Sequence, residues 1–181
     1  LGYDMVVLCK GEGRPTPLVV VRPQSSSHSV VVGYSLIDGS KQFVWEPEFV
    51  FYRLSKIVSS SDDLENLIML SGDRFLIADA MGNVQRTLAA PYAEFQARVT
   101  ATNHVLESGS TLTVCLATTR WASSYMLCVF NSTDELLFQD IQVGGAKSLL
   151  VYSRAQNGRT QVEVLVGSRN QIWRYVFEDG K

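Results

Sequence analysis

The sequence is poor in the residues that carry most catalytic and metal-binding chemistry. Its 181 residues include two histidines and three cysteines. His28 and His104 lie far apart in the chain without a second histidine or carboxylate at ligand spacing, so we expect both to be exposed loop residues. No Gly-x-Ser-x-Gly elbow, phosphate-binding loop or dinucleotide-binding motif occurs. These absences predict no catalytic residue, no metal site and no cofactor.

Long apolar runs and clusters of basic residues are also missing. The longest uncharged apolar runs, residues 5–9 and 125–130, fall far short of the roughly 18 residues that span a bilayer. The chain has 16 basic and 18 acidic residues, for a formal net charge of −2, and no cluster of Lys or Arg stands out. We therefore predict no membrane insertion and no binding to nucleic acid.

The cysteines do not form the framework of a disulfide-rich domain. Cys9, Cys115 and Cys128 all lie inside apolar runs, where a free cysteine behaves as a small buried hydrophobic residue. This pattern favours an intracellular, reducing compartment. Cys115 and Cys128 fall in neighbouring predicted strands. Their spacing is compatible with a cross-strand disulfide, but two reduced packing thiols are favoured because the disulfide geometry is demanding.

The chain is rich in short runs of β-branched and aromatic residues separated by Gly, Ser, Asn and Asp. This pattern predicts an all-β protein. Residues 92–106 are the exception, since Phe95, Val99 and Leu106 have helical spacing. The same stretch also alternates between apolar and polar positions, and we predict a strand there.

A repeated hairpin divides these strands into units. In each copy an apolar strand is followed by a turn that ends at Gly39, Gly82, Asp134 or Gly180, with spacings of 43, 52 and 46 residues. Blades of four antiparallel strands repeat every 40–50 residues or so. We predict β-propeller-type four-stranded blades in a single propeller-like domain, or part of a larger one, over residues 1–181. The units are approximately 4–46, 50–90, 94–143 and 147–181. The alternative is a β-sandwich or barrel.

The fourth unit lacks its last strand in this pattern. An unpaired strand edge favours aggregation, so a closed propeller needs that strand from elsewhere. The chain also begins at Leu1 without an initiating Met, so either a leader was removed or this is a piece of a longer polypeptide, and we expect the second. The missing strand is expected from a further segment of that polypeptide or from a partner chain.

Two segments resemble known propeller blades. Residues 34–45, YSLIDGSKQFVW, resemble the blade motif of quinoprotein-type propellers, with the glycine about two residues early. Residues 149–177 are similar to degenerate WD-repeat-like blades, although the Trp-Asp and Gly-His pairs are absent. The resemblance implies a propeller fold and leaves the chemistry open, because this architecture serves enzymes and scaffolds alike.

The best surface candidate is the loop with Arg120, Trp121 and Tyr125, since Trp, Tyr and Arg anchor many protein interfaces. The alternative is that Trp121 covers the core of its own blade. The sequence favours a non-enzymatic scaffold that binds other proteins. The alternative function is a propeller-based enzyme of the hydrolase or quinoprotein type with residues gathered at a central channel. The first strands of the units are mostly apolar, which disfavours that alternative.

Overall fold

A computed structural model describes residues 3–8, 18–23, 30–47, 51, 53–59, 65–79, 82–91, 98–119, 123–156 and 159–178. Strands and turns make up these ranges, and no helix occurs within them. The prediction of an all-β protein is confirmed, whereas the propeller arrangement stays a prediction. The chain divides into two compact units, one formed by Leu1–Val58 with Asp62–Ala93 and the other by Ser59–Ser61 with Glu94–Lys181.

The first unit contains two antiparallel meanders in which each strand pairs with the next. The first meander comprises β1 (Tyr3–Leu8), β2 (Leu18–Pro23), β3 (Val31–Ser35) and β4 (Lys41–Trp45). The second comprises β5 (Leu54–Ser59), β6 (Asn66–Ser71), β7 (Arg74–Ala78) and β8 (Val84–Ala89). Alternate side chains of both meanders form one apolar core that includes Val6, Val31, Phe43, Leu67 and Met69.

The second unit repeats this plan with one strand fewer. The third meander comprises β9 (Arg98–Val105), β10 (Thr111–Thr118), β11 (Ser124–Phe130) and β12 (Leu136–Val143). The fourth comprises β13 (Ala146–Gln156), β14 (Arg159–Ser168) and β15 (Ile172–Glu178). Their shared core includes Val114, Leu127, Val164, Val166 and Phe177.

The strands within a meander differ in burial. Nearly every residue of β7, β10 and β11 is buried, so both faces of these strands are covered. In β12, half-buried and exposed residues alternate, and β15 follows the same alternation with Phe177 buried. Strands covered on both faces carry mostly apolar residues, whereas β12 and β15 alternate along the chain.

The turn before the fourth strand has the same construction in the second and third meanders. Asp79 N–H bonds the Asn83 carbonyl at 3.0 Å, and Asn131 N–H bonds the Glu135 carbonyl at the same distance. The Asp79 and Asn131 side chains each accept a second bond, at 2.9 Å, from the backbone N–H four residues later. The residue closing each turn has positive φ, 90° at Gly82 and 66° at Asp134. Gly39, at φ 71°, closes the corresponding turn of the first meander.

These turns account for the anchor residues of the predicted repeat, whereas the repeat itself stays a prediction. Three of its four anchor residues are the ones that adopt the left-handed conformation, which favours Gly and tolerates Asp. Gly180 lies outside the described residues. β9 shows that residues 98–105 form a strand, as predicted, whereas 92–97 also lie outside the described residues. The described strands fall within or close to the ranges proposed for the four units, and their membership of a single domain stays a prediction.

Gly82 and Gly39 allow a matched test of the turn. Both have positive φ, but a Cβ at Gly82 would lie 2.6 Å from the Trp45 ring, whereas a Cβ at Gly39 meets nothing within 4 Å. We expect Gly39→Ala to lower the free energy of unfolding by about 1 kcal/mol through backbone strain alone. Gly82→Ala should cost about 3 kcal/mol, because the Trp45 ring must also move. Urea denaturation of both variants measures the difference, and equal losses would contradict the role given to Trp45.

Candidate functional site

The loop predicted as an interface lies between β10 and β11. Arg120 and Trp121 fall outside the described residues, so this interface stays a prediction. The described ends of the loop are joined by the Thr119 hydroxyl, which accepts the backbone N–H groups of Ser123 and Ser124 at 3.2 Å each. Thr119 N–H also bonds the Ser124 carbonyl at 3.1 Å. These bonds close the hairpin at the base of the loop.

Tyr125, the third residue predicted at this interface, is fully buried, which corrects that assignment. Its ring packs edge-on against Trp173, with centroids 6.5 Å apart. Its hydroxyl lies 2.8 Å from that of Tyr175, which donates in turn to Asp140 Oδ2 at 2.7 Å. Since Tyr175 has one hydroxyl hydrogen, Tyr125 is the donor in the tyrosine pair. Tyr125 therefore joins the third and fourth meanders and cannot contact a partner at the surface.

Both tyrosines of this chain of hydrogen bonds resist ionisation. Burial raises the pKa of Tyr125. Burial also raises the pKa of Tyr175, as do its hydrogen bonds to Tyr125 and Asp140. The two phenols thus stay neutral at physiological pH and act as fixed hydrogen-bond donors.

A carboxylate in the fourth meander lies in a cluster of charged and polar side chains. The side chain of Glu163 on β14 is 1% exposed. Arg174 donates to it from Nε at 2.8 Å and from Nη2 at 2.7 Å, and the Tyr152 hydroxyl donates at 2.6 Å. Arg154 Nη1 lies 3.7 Å from the same carboxylate. Hydrogen bonds from Arg174, then Tyr152, lower the pKa of Glu163 to about 2.

The surroundings of this cluster are apolar and exposed. Strand register places Tyr152 and Val176 on either side of Glu163, and Leu165 between Leu150 and Arg174, all on the face opposite the core. We call the side chains of Leu150, Tyr152, Glu163, Ile172, Arg174 and Val176 the Glu163 face. Three of them are large, apolar and exposed, namely Ile172 at 73%, Leu150 at 56% and Val176 at 42%.

The first meander has a comparable surface. Met5, Val7, Tyr34 and Val44 lie on the face opposite its core, and we call them the Met5 face. Met5 is 68% exposed and Val44 is 48% exposed. Isolated exposed apolar residues are ordinary, but several on one sheet face are typical of a surface that binds another protein.

His104 is not the exposed loop residue expected from the sequence. It lies on β9, is buried, and its Nε2 is 2.8 Å from the Ser153 hydroxyl on β13. The His104 Nδ1 atom is buried without a hydrogen-bond partner. Burial lowers the pKa of His104, so the ring is neutral at pH 7. A neutral imidazole beside a hydroxyl can accept its proton, but the carboxylate that orients the base in a catalytic triad is not bonded to Nδ1.

The two described cysteines match their prediction. Cys115 on β10 lies directly opposite Cys128 on β11, and both are buried and outside any disulfide. Burial raises the pKa of the Cys128 thiol to about 12, so it carries almost no reactive thiolate. Cys9 and His28 lie outside the described residues.

One cavity in the second unit is small. A cavity of about 100 Å³ is lined by Leu106, Glu107, Ser108, Thr160 and Val162. Sites for drug-sized ligands are usually about 300–1,000 Å³. Over the described ranges, no three His, Cys, Asp or Glu side chains are grouped so that they could hold a metal ion. The same ranges contain no helix with the length and apolar character needed to cross a membrane.

The sequence reasoning missed Glu163, although the signal was present. Glu163 is the single charged residue in the run VEVLV, residues 162–166. A lone acid in a strand that is otherwise apolar needs a cationic partner when it is buried. Its partner Arg174 lies between Trp173 and Tyr175 in the next strand. Only the pairing register of β14 with β15 shows that Glu163 and Arg174 are neighbours.

These features define an all-β protein built of antiparallel meanders. No protein-family model matches the chain, and no curated protein matches it. The solved structures that match include a member of the DUF4221 family from Bacteroides vulgatus, which is 10% identical over the whole chain with a TM-score of 0.45. The chain spans 59% of the length of that protein. A likeness this weak assigns neither a fold family nor a function.

The Glu163 cluster predicts a specific response to acid. The folded-state pKa of Glu163 is lowered from 4.5 to about 2, so its contribution to stability is full above pH 4.5 and is lost as the pH falls towards 2. We expect Glu163→Gln to lower the unfolding temperature at about pH 7, with a smaller difference from wild type at about pH 3. The control is Glu178→Gln, since Glu178 is 62% exposed and 3.6 Å from Arg159. Similar effects of both substitutions would contradict the role of the cluster.

His104 predicts a second pH dependence. Its folded-state pKa lies below the ordinary 6.5, so its neutral form stabilises the fold above that pH, and this contribution is lost as the pH falls. We expect the unfolding temperature of wild type to fall more between about pH 7.5 and about pH 5.5 than that of His104→Gln. His28→Gln, which retains His104, is the control. An unchanged pH profile in His104→Gln would exclude His104 as the source.

Proposed function

We propose that this chain is a non-enzymatic module for binding other proteins, built from propeller-type blades. Each strand of a meander pairs with the next, and the same turn recurs before the fourth strand. Middle strands buried on both faces, such as β10 and β11, are expected for blades stacked between neighbours. Strands covered on both faces are less typical of an ordinary sandwich, in which each sheet has one solvated face.

The observation that carries the binding function is the pair of exposed apolar faces. The Met5 face and the Glu163 face lie on the first and fourth meanders, each opposite its own core. Burying such side chains against a partner removes apolar area from water. Each Å² that is removed contributes about 25 cal/mol of favourable free energy. The Glu163 cluster adds fixed polar groups within one face, which favours a defined partner orientation.

A propeller-based hydrolase is the alternative, and one contact favours it. The Ser153 hydroxyl and the neutral His104 ring form a pair of the kind that activates a serine nucleophile. The unbonded Nδ1 atom argues against it, because an unoriented imidazole is a poor base. Covalent labelling of Ser153 by a fluorophosphonate, lost in Ser153→Ala, would favour the hydrolase over the binding module.

The binding function predicts that substitutions in the Glu163 face weaken partner capture, whereas a substitution at an equally exposed position elsewhere does not. We expect Leu150→Ser combined with Ile172→Ser to reduce partner capture in quantitative pull-downs by about tenfold or more, because interface anchors contribute 1 kcal/mol or more each. The unfolding temperature should change little. The matched control is Ile37→Ser, since Ile37 is 71% exposed in a turn and Ile172 is 73% exposed on the face.

The loop at residues 119–125 is tested in the same assay. Arg120→Ala with Trp121→Ala should weaken capture while leaving the unfolding temperature nearly unchanged. A collapse of the unfolding temperature would place Trp121 in the core. Unchanged capture in every face and loop variant would contradict the binding function.

A further inference from the structure

The turn between β11 and β12 contains a short motif that the binding function does not use. Asn131, Ser132 and Thr133 form the pattern Asn-x-Thr, with no proline in the middle position. This pattern marks the asparagines to which N-linked sugars are attached. None of the other asparagines of the chain has Ser or Thr two residues later. A three-residue motif also arises by chance, so its support has to come from the geometry of the turn.

The structure places the motif where an enzyme can reach it. β11 ends at Phe130 and β12 begins at Leu136, so the motif lies in the turn that joins the two strands. Asn131 is half-buried, and Ser132 and Thr133 are exposed. A surface turn is the context that N-linked glycosylation requires, because the attached sugar is bulky and hydrated.

The turn holds the Asn131 side chain in one orientation. Its Oδ1 atom accepts three hydrogen bonds, from the Thr133 hydroxyl at 2.8 Å, the Thr133 N–H at 3.0 Å and the Glu135 N–H at 2.9 Å. Its Nδ2 atom donates to Glu135 Oε2 at 3.1 Å. An amide nitrogen has two hydrogens, so a sugar can replace one of them while the other keeps the bond to Glu135.

The three donors at Oδ1 suit the chemistry of sugar attachment. In that reaction Nδ2 forms a bond to the anomeric carbon of an oligosaccharide that is linked to a lipid diphosphate. The bond from this carbon to the diphosphate oxygen breaks, the lipid diphosphate leaves with the electron pair, and Nδ2 gives up one proton to a base of the transferase. Loss of that proton shifts negative charge onto Oδ1. Donors already placed at an oxygen that gains charge stabilise it, and the Thr133 hydroxyl is one of them.

A second turn of the same construction shows that the fold does not need the amide of Asn131. In the turn between β7 and β8, Asp79 occupies the equivalent position, and its Oδ1 accepts the Asn83 N–H at 2.9 Å. A carboxylate therefore makes the same bond to the backbone with no N–H of its own. The Nδ2 group of Asn131 is thus an addition that the backbone of the turn does not use.

The bonds of this turn are local enough to form early. Each joins residues at most four positions apart. Short loops close faster than hairpins form, so these contacts can precede the pairing of β11 with β12. The turn can therefore orient Asn131 for a transferase that acts on the chain before or after folding.

The described cysteines are compatible with the compartment in which such transfer occurs. N-linked sugars are found on secreted proteins, whereas the cysteine pattern of the sequence favours a reducing compartment. Cys115 and Cys128 are buried, and burial raises the pKa of the Cys128 thiol to about 12. The thiolate that oxidation requires is scarce at that pKa in any compartment. Two buried cysteines outside a disulfide therefore do not exclude a secreted protein.

We propose that Asn131 is an acceptor for N-linked glycosylation and that the Thr133 hydroxyl is required for the transfer. The site takes its sugar from a lipid diphosphate-linked oligosaccharide. This inference goes beyond the proposed binding function and does not depend on it, because the turn belongs to neither the Met5 face nor the Glu163 face.

Site mapping on the full chain from its native source tests the proposal without any substitution. Peptide-N-glycosidase in water enriched in heavy oxygen converts a glycosylated asparagine to aspartate that carries the heavy oxygen, and mass spectrometry of peptides locates it. A sample without the enzyme controls for spontaneous deamidation. We expect enzyme-dependent label at Asn131 and at no other asparagine. Absence of label from Asn131 overturns the proposal.

Matched variants test the role given to the hydroxyl. Wild type and the Thr133 variants are secreted from cells that glycosylate proteins, and the glycan is measured as a mass shift that the glycosidase removes. We expect Thr133→Ser to keep the glycan, because the hydroxyl is retained, and Thr133→Val to lose it. A glycan on Thr133→Val, or none on wild type, overturns the proposal.

A double variant controls for damage to the turn. In Asn131→Asp with Glu135→Gln, the side-chain bond is kept with donor and acceptor exchanged, as Asp79 Oδ2 accepts from Asn83 Nδ2 at 2.8 Å in the other turn. We expect this variant to lose the glycan. Its unfolding temperature should match that of wild type when both are made without glycans. A mass shift that the double variant retains would place the sugar elsewhere and overturn the assignment of Asn131.

Discussion

The register of the antiparallel pairs is the constraint on which every other feature of this chain depends. Side chains alternate between the faces of a strand, so a slip of one residue would exchange core and surface along its whole length. The observed register directs Val164 and Val166 to the core and Glu163 to the opposite face. It also sets Tyr152 beside Glu163 and Cys115 opposite Cys128. The tight turns with positive φ hold this register from the ends of the strands.

The strands and turns could be predicted from local sequence. The burial of individual side chains could not, because it depends on pairing between distant segments. Turn residues such as Gly82 and Asp134 stood out because few residues adopt a left-handed backbone easily. The sequence places His104 at the surface because no ligand partner lies at the right spacing, and Tyr125 because Trp, Tyr and Arg anchor many interfaces. Their burial arises from meander packing, for His104 against Ser153 and for Tyr125 against Tyr175. Nothing within either local sequence identifies partners about 50 residues away.

Polar groups in the second unit are satisfied in two different ways. The chain from Tyr125 through Tyr175 to Asp140 spans two meanders and uses neutral donors. The Glu163 cluster stays within one meander and uses a charged donor on the adjacent strand. The first arrangement fixes how the two meanders pack. The second lets a carboxylate remain ionised on a largely apolar face, because Arg174 and Tyr152 hold it with hydrogen bonds.

The facing cysteines give the third meander a chemical property that its packing conceals. While the strands stay paired, the Cys128 thiol lies in the interior with a pKa near 12 and presents no nucleophile to an oxidant. Once the pair separates, an ordinary thiol pKa of about 8.5 returns and alkylating reagents gain access. The rate of thiol alkylation at Cys115 and Cys128 therefore reports how often β10 separates from β11.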